Sequence, residues 1–293
     1  MLPYNYKYAT QAFGLHNTSS LCYFNSLTQC LMSLPSFNEA MEYETCKISQ
    51  EYNMLRKKNS GSSYNLASFV KQYRDNKCMQ WNIDPNVQED IHEGFILMME
   101  ALGDKLNPIF NIRYRLDIKC YKCNNITQVP AGSSPPELVI DMSNLQCSTK
   151  EEVEQYIILH RQIPDGYKCE KCLYQNSGNK PSIIQRYSIG KISSVIILLY
   201  KYNQHLMVRG KSRITQYFPN ELDFESKNGP LHYKLVAYAE QFGSLGGGHY
   251  TATCLRPNSN GTGLSVVNMN DNIVSPSNFN PSPNTYMVFY HLV

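Results

Sequence analysis

Two Cys-x-x-Cys pairs constrain this chain more than any other feature: Cys120 and Cys123 in CYKC, and Cys169 and Cys172 in CEKC, with 46 positions from Cys123 to Cys169. One such pair is equally a redox motif or an accident. Two pairs supply four thiolates from two tight knuckles, the donor set of a closed, tetrahedral, structural Zn2+ site, so the chain is expected to fold back on itself there. Ten cysteines would also suit the disulfide framework of a secreted protein. The opening MLPYNYKYATQAF, however, lacks the apolar core of a signal peptide. Asn-x-Ser/Thr triplets such as Asn125 to Thr127 are discounted for the same reason.

The remaining composition narrows the class. Hydrophobic residues at 42% and charged residues at 17% are globular values, and 293 residues can bury a sizeable core. A net charge of +3 and a pI near 8.2 are mild and do not suggest a nucleic-acid binder. No run approaches the ~18 apolar residues of a membrane span. The expectation is a soluble protein of a reducing compartment, cytoplasmic or nuclear, with no nucleic acid or membrane as partner.

Chemistry is concentrated at the two ends. In GLHNTSSLCYFNSLTQCLMSL, residues 14–34, Leu27, Cys30, Leu31 and Leu34 follow a helical i, i+3, i+4, i+7 stripe that Pro35 stops. Ser19 and Ser20 are candidate caps, which places Cys22 in the first turn. There the helix dipole and unpaired N–H groups would lower a thiol pKa from about 8.5. Free cysteines are most often inert core residues, so partners must decide the role. Near the other end, LGGGHYTATC suggests a mobile glycine loop feeding a strand, with His249 at its mouth. Beyond it VVNMNDNIV, residues 266–274, is an apolar run holding Asn270 and Asp271. A nucleophilic thiol needs a base, and the base needs a group to fix its tautomer; Cys22, His249 and Asn270 form such a set. The other histidines, His16, His92, His160, His205, His232 and His291, carry no matching motif.

These residues resemble the ubiquitin-specific protease family of cysteine deubiquitinases. Gly14, Leu15, Asn17, Cys22, Tyr23, Asn25, Ser26 and Gln29 match its signature GLxNxxNTCYxNSxxQ. Gly248, His249, Tyr250 and Ala252 match its GHYxA box, and Met269, Asn270, Asp271 and Val274 match F-[DN]-D-xx-V. Thr18 to Leu21 depart from the usual Leu-Gly-Asn-Thr, and Val266 stands where tryptophan is usual. Neither departure removes a group that moves a proton. The resemblance implies Cys22 as nucleophile, His249 as general base, Asn270 as the orienting residue and Asn17 as oxyanion donor, with Asp271 in the catalytic set. It implies a deubiquitinase that hydrolyses the bond after the terminal glycine of ubiquitin, with Gly247, Gly248 and Tyr250 lining the channel for that tail. VQEDIHEGF resembles the QxDxxEF box and implies that Asp90 and Glu93 hold the tail's arginines. The alternatives are a protease for a ubiquitin-like modifier, a silent ubiquitin-binding module, and a zinc-dependent scaffold.

Between these ends the pattern is helical, then stranded. Leu66, Phe69, Val70 and Tyr73 form a stripe. Asp84-Pro85 reads as a cap for a helix over Gln88 to Leu106 that buries Ile91, Phe95, Met98 and Leu102. Alternation begins at Ile112, Tyr114, Leu116 and Ile118. Pro130 to Pro136, Gln175 to Pro181 and Asn258 to Gly263 read as loops, Ser148 to His160 as a helix, and Leu138 to Ile140, Ser193 to Tyr202, Tyr233 to Tyr238 and Tyr286 to Tyr290 as strands. The class is α+β. The resemblance maps it onto a papain-like fold, expected as a compact monomeric catalytic domain: helical thumb 1–107, zinc-ribbon fingers 108–192 and antiparallel β palm 193–293.

Overall fold

A computed structural model of the chain describes residues 8–18, 20–58, 62–66, 70, 89–120, 122–128, 138–143, 145–159, 168–175, 183–191, 193–200, 215, 217–226, 229–244, 247–258 and 263–293. Most of the expected 66–73 stripe, the Asp84-Pro85 cap and the 130–136 loop lie outside these residues, as does 176–181. Of that stripe Leu66 and Val70 are described, both buried, with the Val70 N–H on the Leu66 carbonyl at 2.8 Å.

Helices lead the chain: α1 (Cys22–Met32), α2 (Pro35–Tyr43), α3 (Lys47–Arg56), α4 (Ile91–Leu102) and the single turn α5 (Asn107–Phe110). Every residue of α1 is buried, so the stripe read from the sequence understates it. This helix is walled by α2 and α4 on one side and by the large sheet on the other. Burying a side chain such as Leu27, which is 0% exposed, contributes about 1.5–3 kcal/mol. The N-cap position is Leu21, with no side-chain cap bond of its own, and Asn17 Oδ1 accepts the Leu21 N–H at 3.1 Å; Ser19, one of the two candidate caps, lies outside the described residues. Pro35 opens α2 at N1, where its missing N–H costs nothing. The helix expected over 88–106 is shorter. Asp90 caps it, Ile91, Phe95, Met98 and Leu102 are buried as the pattern implied, and Gly103 at φ 78 ends it.

Two short strands, β1 (Gly14–His16) and β2 (Ser63–Asn65), pair in parallel. Around the cysteine knuckles β3 (Arg113–Cys120), β4 (Ile126–Gln128) and β6 (Ile183–Lys191) form a sheet ordered β4-β3-β6. The large sheet holds β5 (Ile140–Asp141), β7 (Val195–Leu199), β8 (Glu221–Ser226), β9 (Gly229–Ser244), β10 (Gly247–Pro257), β11 (Leu264–Asn270), β12 (Ile273–Pro276) and β13 (Thr285–Leu292). Its order is β12-β11-β10-β9-β13-β7-β5, with β8 on β9. All five residues of β7 are buried, because Val195, Ile197 and Leu199 face one core while Ile196 and Leu198 face another. An uninterrupted apolar run is what a strand covered on both faces requires. The first core holds α1, α2 and α4. The second holds β8 and Val153 and Ile157 of α6 (Lys150–Leu159). Within 108–192, β5 pairs into the large sheet, and α6 packs against both β8 of that sheet and β6 of the knuckle sheet.

Two expectations near the C-terminus are corrected. Gly247 and Gly248 belong to β10, laddered against Ser244 and Gly243, because β9 and β10 are long enough to carry the pairing to their tips. The run 266–274 is two strands: Asn270 pairs with Ile273, and Asp271 and Asn272 form a two-residue turn between them. Asp271 takes φ 51, the positive value that such tight hairpins require and that aspartate tolerates.

Candidate active site

This turn is the centre of the site. It docks against the segment that leads into α1: Leu15 N–H donates to the Asp271 carbonyl at 2.8 Å. The approach is close enough that a Cβ on Gly14 would lie 2.4 Å from the Asn272 carbonyl oxygen, so only glycine fits there. The Asp271 carboxylate is gripped by two amides, Asn17 Nδ2 at 3.1 Å on Oδ2 and Asn25 Nδ2 at 2.8 Å on Oδ1. One residue earlier, Asn270 Oδ1 meets His249 Nε2 at 2.6 Å, while Asp271 Oδ2 lies 3.9 Å from the same nitrogen. An amide oxygen only accepts, so the imidazole proton is on Nε2 and the lone pair is on Nδ1.

Cys22 opens α1 beneath this cluster. The main-chain N–H of Tyr250, the residue after His249, hydrogen-bonds its sulfur. Residues more than two hundred positions apart in sequence therefore share one corner. Burial raises the thiol pKa, the nearby Asp271 carboxylate adds to the rise, and the main-chain N–H groups of Tyr250, Tyr23 and Cys22 only partly offset it. The depressed thiol pKa expected from the helix terminus is thus corrected: desolvation at a site 3% exposed outweighs the main-chain N–H groups.

The other expected residues are placed differently from one another. The Tyr250 ring is 2% exposed and packs edge-on against Tyr286, so this residue faces the site through its backbone. Asp90 uses Oδ1 to cap α4 at the His92 N–H, 2.8 Å away, and Oδ2 to accept the Tyr286 hydroxyl. Glu93 is exposed in the first turn of α4, and Gly248 and His249 are part-exposed on β10. Asn25 and Gly14 lay inside the quoted signature without a role. Their contacts reach across about 250 positions, and no local periodicity signals them.

The knuckles are near copies of each other. Asn124 N–H bonds the Cys120 carbonyl and Leu173 N–H the Cys169 carbonyl, both at 2.8 Å. The residue after each second cysteine is left-handed, Asn124 at φ 56 and Leu173 at φ 57. All four sulfurs lie within 4.8 Å of one another, with Cys120 to Cys172 at 3.6 Å and Cys123 to Cys169 at 3.7 Å. A tetrahedral ion bonded to sulfur at about 2.3 Å requires sulfurs about 3.8 Å apart, so the donor set and spacing fit a metal ion.

The sequence model of the family described as "Ubiquitin carboxyl-terminal hydrolase" matches residues 13–290. The chain is 24% identical over 326 residues to ubiquitin carboxyl-terminal hydrolase 36 of Drosophila grimshawi, covering 95% of this chain and 25% of that protein. With ubiquitin carboxyl-terminal hydrolase Usp2 of Drosophila melanogaster it shares 25% identity, covering 94% of this chain and 34% of that one. The chain thus spans about a quarter to a third of the length of these relatives. Among solved structures, the SAGA Ubp8/Sgf11/Sus1/Sgf73 DUB module bound to ubiquitin aldehyde superposes with a TM-score of 0.68 at 19% identity, covering 96% of this chain and 70% of that one, which shows a shared fold.

Proposed function

This chain belongs to the ubiquitin carboxyl-terminal hydrolase family, and on that premise we propose that it is a thiol-dependent deubiquitinase cleaving the bond after the C-terminal glycine of ubiquitin. The observation that carries the proposal is the 2.6 Å contact between His249 Nε2 and Asn270 Oδ1, on the strand whose next residue bonds the Cys22 sulfur. With Nε2 protonated, Nδ1 accepts the thiol proton as the sulfur attacks the glycine carbonyl, and then returns it to the departing lysine amine. Because burial favours the neutral thiol, deprotonation is coupled to attack. The resulting thioester is hydrolysed by water with His249 as base. Asn270 fixes the tautomer, with the Asp271 carboxylate 3.9 Å from the same nitrogen.

Asn17 is the oxyanion donor in this reading. Its Nδ2 carries two hydrogens, one on Asp271 Oδ2 and the second for the oxyanion. Gly247 and Gly248 admit a tail without side chains, and Glu93 with Asp90 attracts the tail's arginines. The four cysteines hold a structural Zn2+ that stabilises the knuckles and takes no part in the chemistry. No helix among the described residues is long and apolar enough to cross a membrane, and the compartment proposed is cytoplasmic or nuclear. Ubiquitin carrying a C-terminal electrophile should label wild-type protein and leave Cys22→Ala unlabelled. Failure of the wild type to label, or labelling by a ubiquitin-like modifier in preference, would replace the substrate assignment.

A further inference from the structure

We propose that Asn25 is a positioning residue for the catalytic group, holding the turn that carries Asn270 in register with the nucleophile. The inference rests on the reading above. Asn25 lies one turn after Cys22 on the same face of α1, 2% exposed. Its Nδ2 donates to Asp271 Oδ1 at 2.8 Å and, more weakly, to the Leu15 carbonyl at 3.4 Å. Its Oδ1 is buried with no hydrogen-bond partner. Reversing the amide would set two oxygens against each other, so donation to Asp271 defines its orientation.

An orphaned buried acceptor is destabilising, and an apolar side chain would suit the core better. The bond to Asp271 is what the amide contributes. Asp271 is a non-glycine residue at φ 51, a conformation that persists only when its surroundings determine it. Three donors do so: Leu15 N–H on its carbonyl, and Asn17 and Asn25 on its two carboxylate oxygens. Of the two side-chain donors, Asn17 is the exposed one and, by the reading above, also serves the oxyanion through its second N–H. Asn25 is the buried side-chain clamp, on the other carboxylate oxygen. The helix that presents the sulfur also sets, one turn later, the height of the turn from which Asn270 reaches His249.

Steady-state turnover of a fluorogenic ubiquitin amide tests this. Asn25→Ala should lower kcat about 10- to 100-fold and leave KM within about twofold, with zinc content and thermal midpoint close to wild type. Asn25→Asp, which opposes two carboxylates, should be worse. The swap Asn25→Asp with Asp271→Asn rebuilds the bond with donor and acceptor exchanged, and should recover about tenfold over Asn25→Asp alone. A kcat for Asn25→Ala within about twofold of wild type, or a swap no better than Asn25→Asp, would overturn the proposal. If Asn25→Ala fails to fold, the swap against Asn25→Asp decides. Wild type that does not turn over the substrate counts against the deubiquitinase reading itself; active wild type with equally active Asn25→Ala counts only against Asn25.

Discussion

Arg256, seven residues beyond His249 on β10, donates through Nη2 to the main-chain carbonyl of Gln29 at 2.6 Å, in the last full turn of the helix that begins at Cys22. The guanidinium is 0% exposed and also reaches Gln29 Oε1, the Ser33 hydroxyl and the Leu255 carbonyl. Its partners include no carboxylate among the described residues. Helix α1 has no basic residue in its own last turn, so Arg256 supplies from another element the positive charge that the negative end of the helix dipole favours. Cys254 lies beside it. Burial raises that thiol's pKa, but a hydrogen bond with Cys30 and the Arg256 charge outweigh this and hold it below the ordinary thiol value.

Arg256→Met should therefore leave several buried acceptors unmatched and destabilise the fold by about 3 kcal/mol, read as a lowered urea midpoint. Arg256→Lys should recover little, because one ammonium cannot span the fork. Stability unchanged in Arg256→Met would show that the clamp between α1 and β10 is redundant.

The raised Cys22 thiol predicts a pH profile. In His249→Ala, where no base takes the proton, iodoacetamide modification of Cys22 should still be climbing above pH 9, since the thiolate fraction grows until the pH passes a pKa above the ordinary value of about 8.5. A plateau near pH 7 would mean that the helix terminus prevails over burial.

His291 predicts acid lability. Burial brings its pKa down from 6.5 to about 4, and its Nε2 lies 3.3 Å from the Ser36 N–H, which it accepts only while neutral. The unfolded chain binds this proton near pH 6.5 and the folded chain not until about pH 4, so the contribution is complete above pH 6.5 and is lost as the pH falls between those values. The loss is on the order of 3 kcal/mol. His291→Gln should flatten the denaturation midpoint across that window, and an unchanged slope would reassign the acid sensitivity.

Zinc removal should act on the fold. Cys169→Ser, or prolonged chelation, should take the metal content from about one ion per chain to near zero and lower the thermal midpoint, because binding energy at a structural site is folding energy. A folded, metal-loaded Cys169→Ser would exclude that ligand.

Gly14→Ala tests the docking of the turn. A Cβ 2.4 Å from the Asn272 carbonyl forces β12 outward and draws Asn270 from His249, so kcat should fall at least about tenfold with ubiquitin affinity retained. Undiminished turnover would mean that the turn has slack.

Much of this was legible in the order of residues. The paired knuckles, the helix opened by Cys22, the strand bearing His249 and the α+β order follow from spacing and periodicity, because knuckles, helices and strands are determined over a few residues. The needs of a nucleophilic thiol suggested Cys22, His249 and Asn270 as a set, and the signature boxes assigned their roles. What tertiary structure decided are quantities made of distance and burial: the raised Cys22 thiol, the Asp271 turn gripped by Asn17 and Asn25, Asp90 drawn to Tyr286, and Arg256 closing a helix on another element. Each joins atoms from well-separated parts of the chain, and their energies depend on solvent exclusion and on angstrom-scale approach, which no run of neighbouring residues encodes.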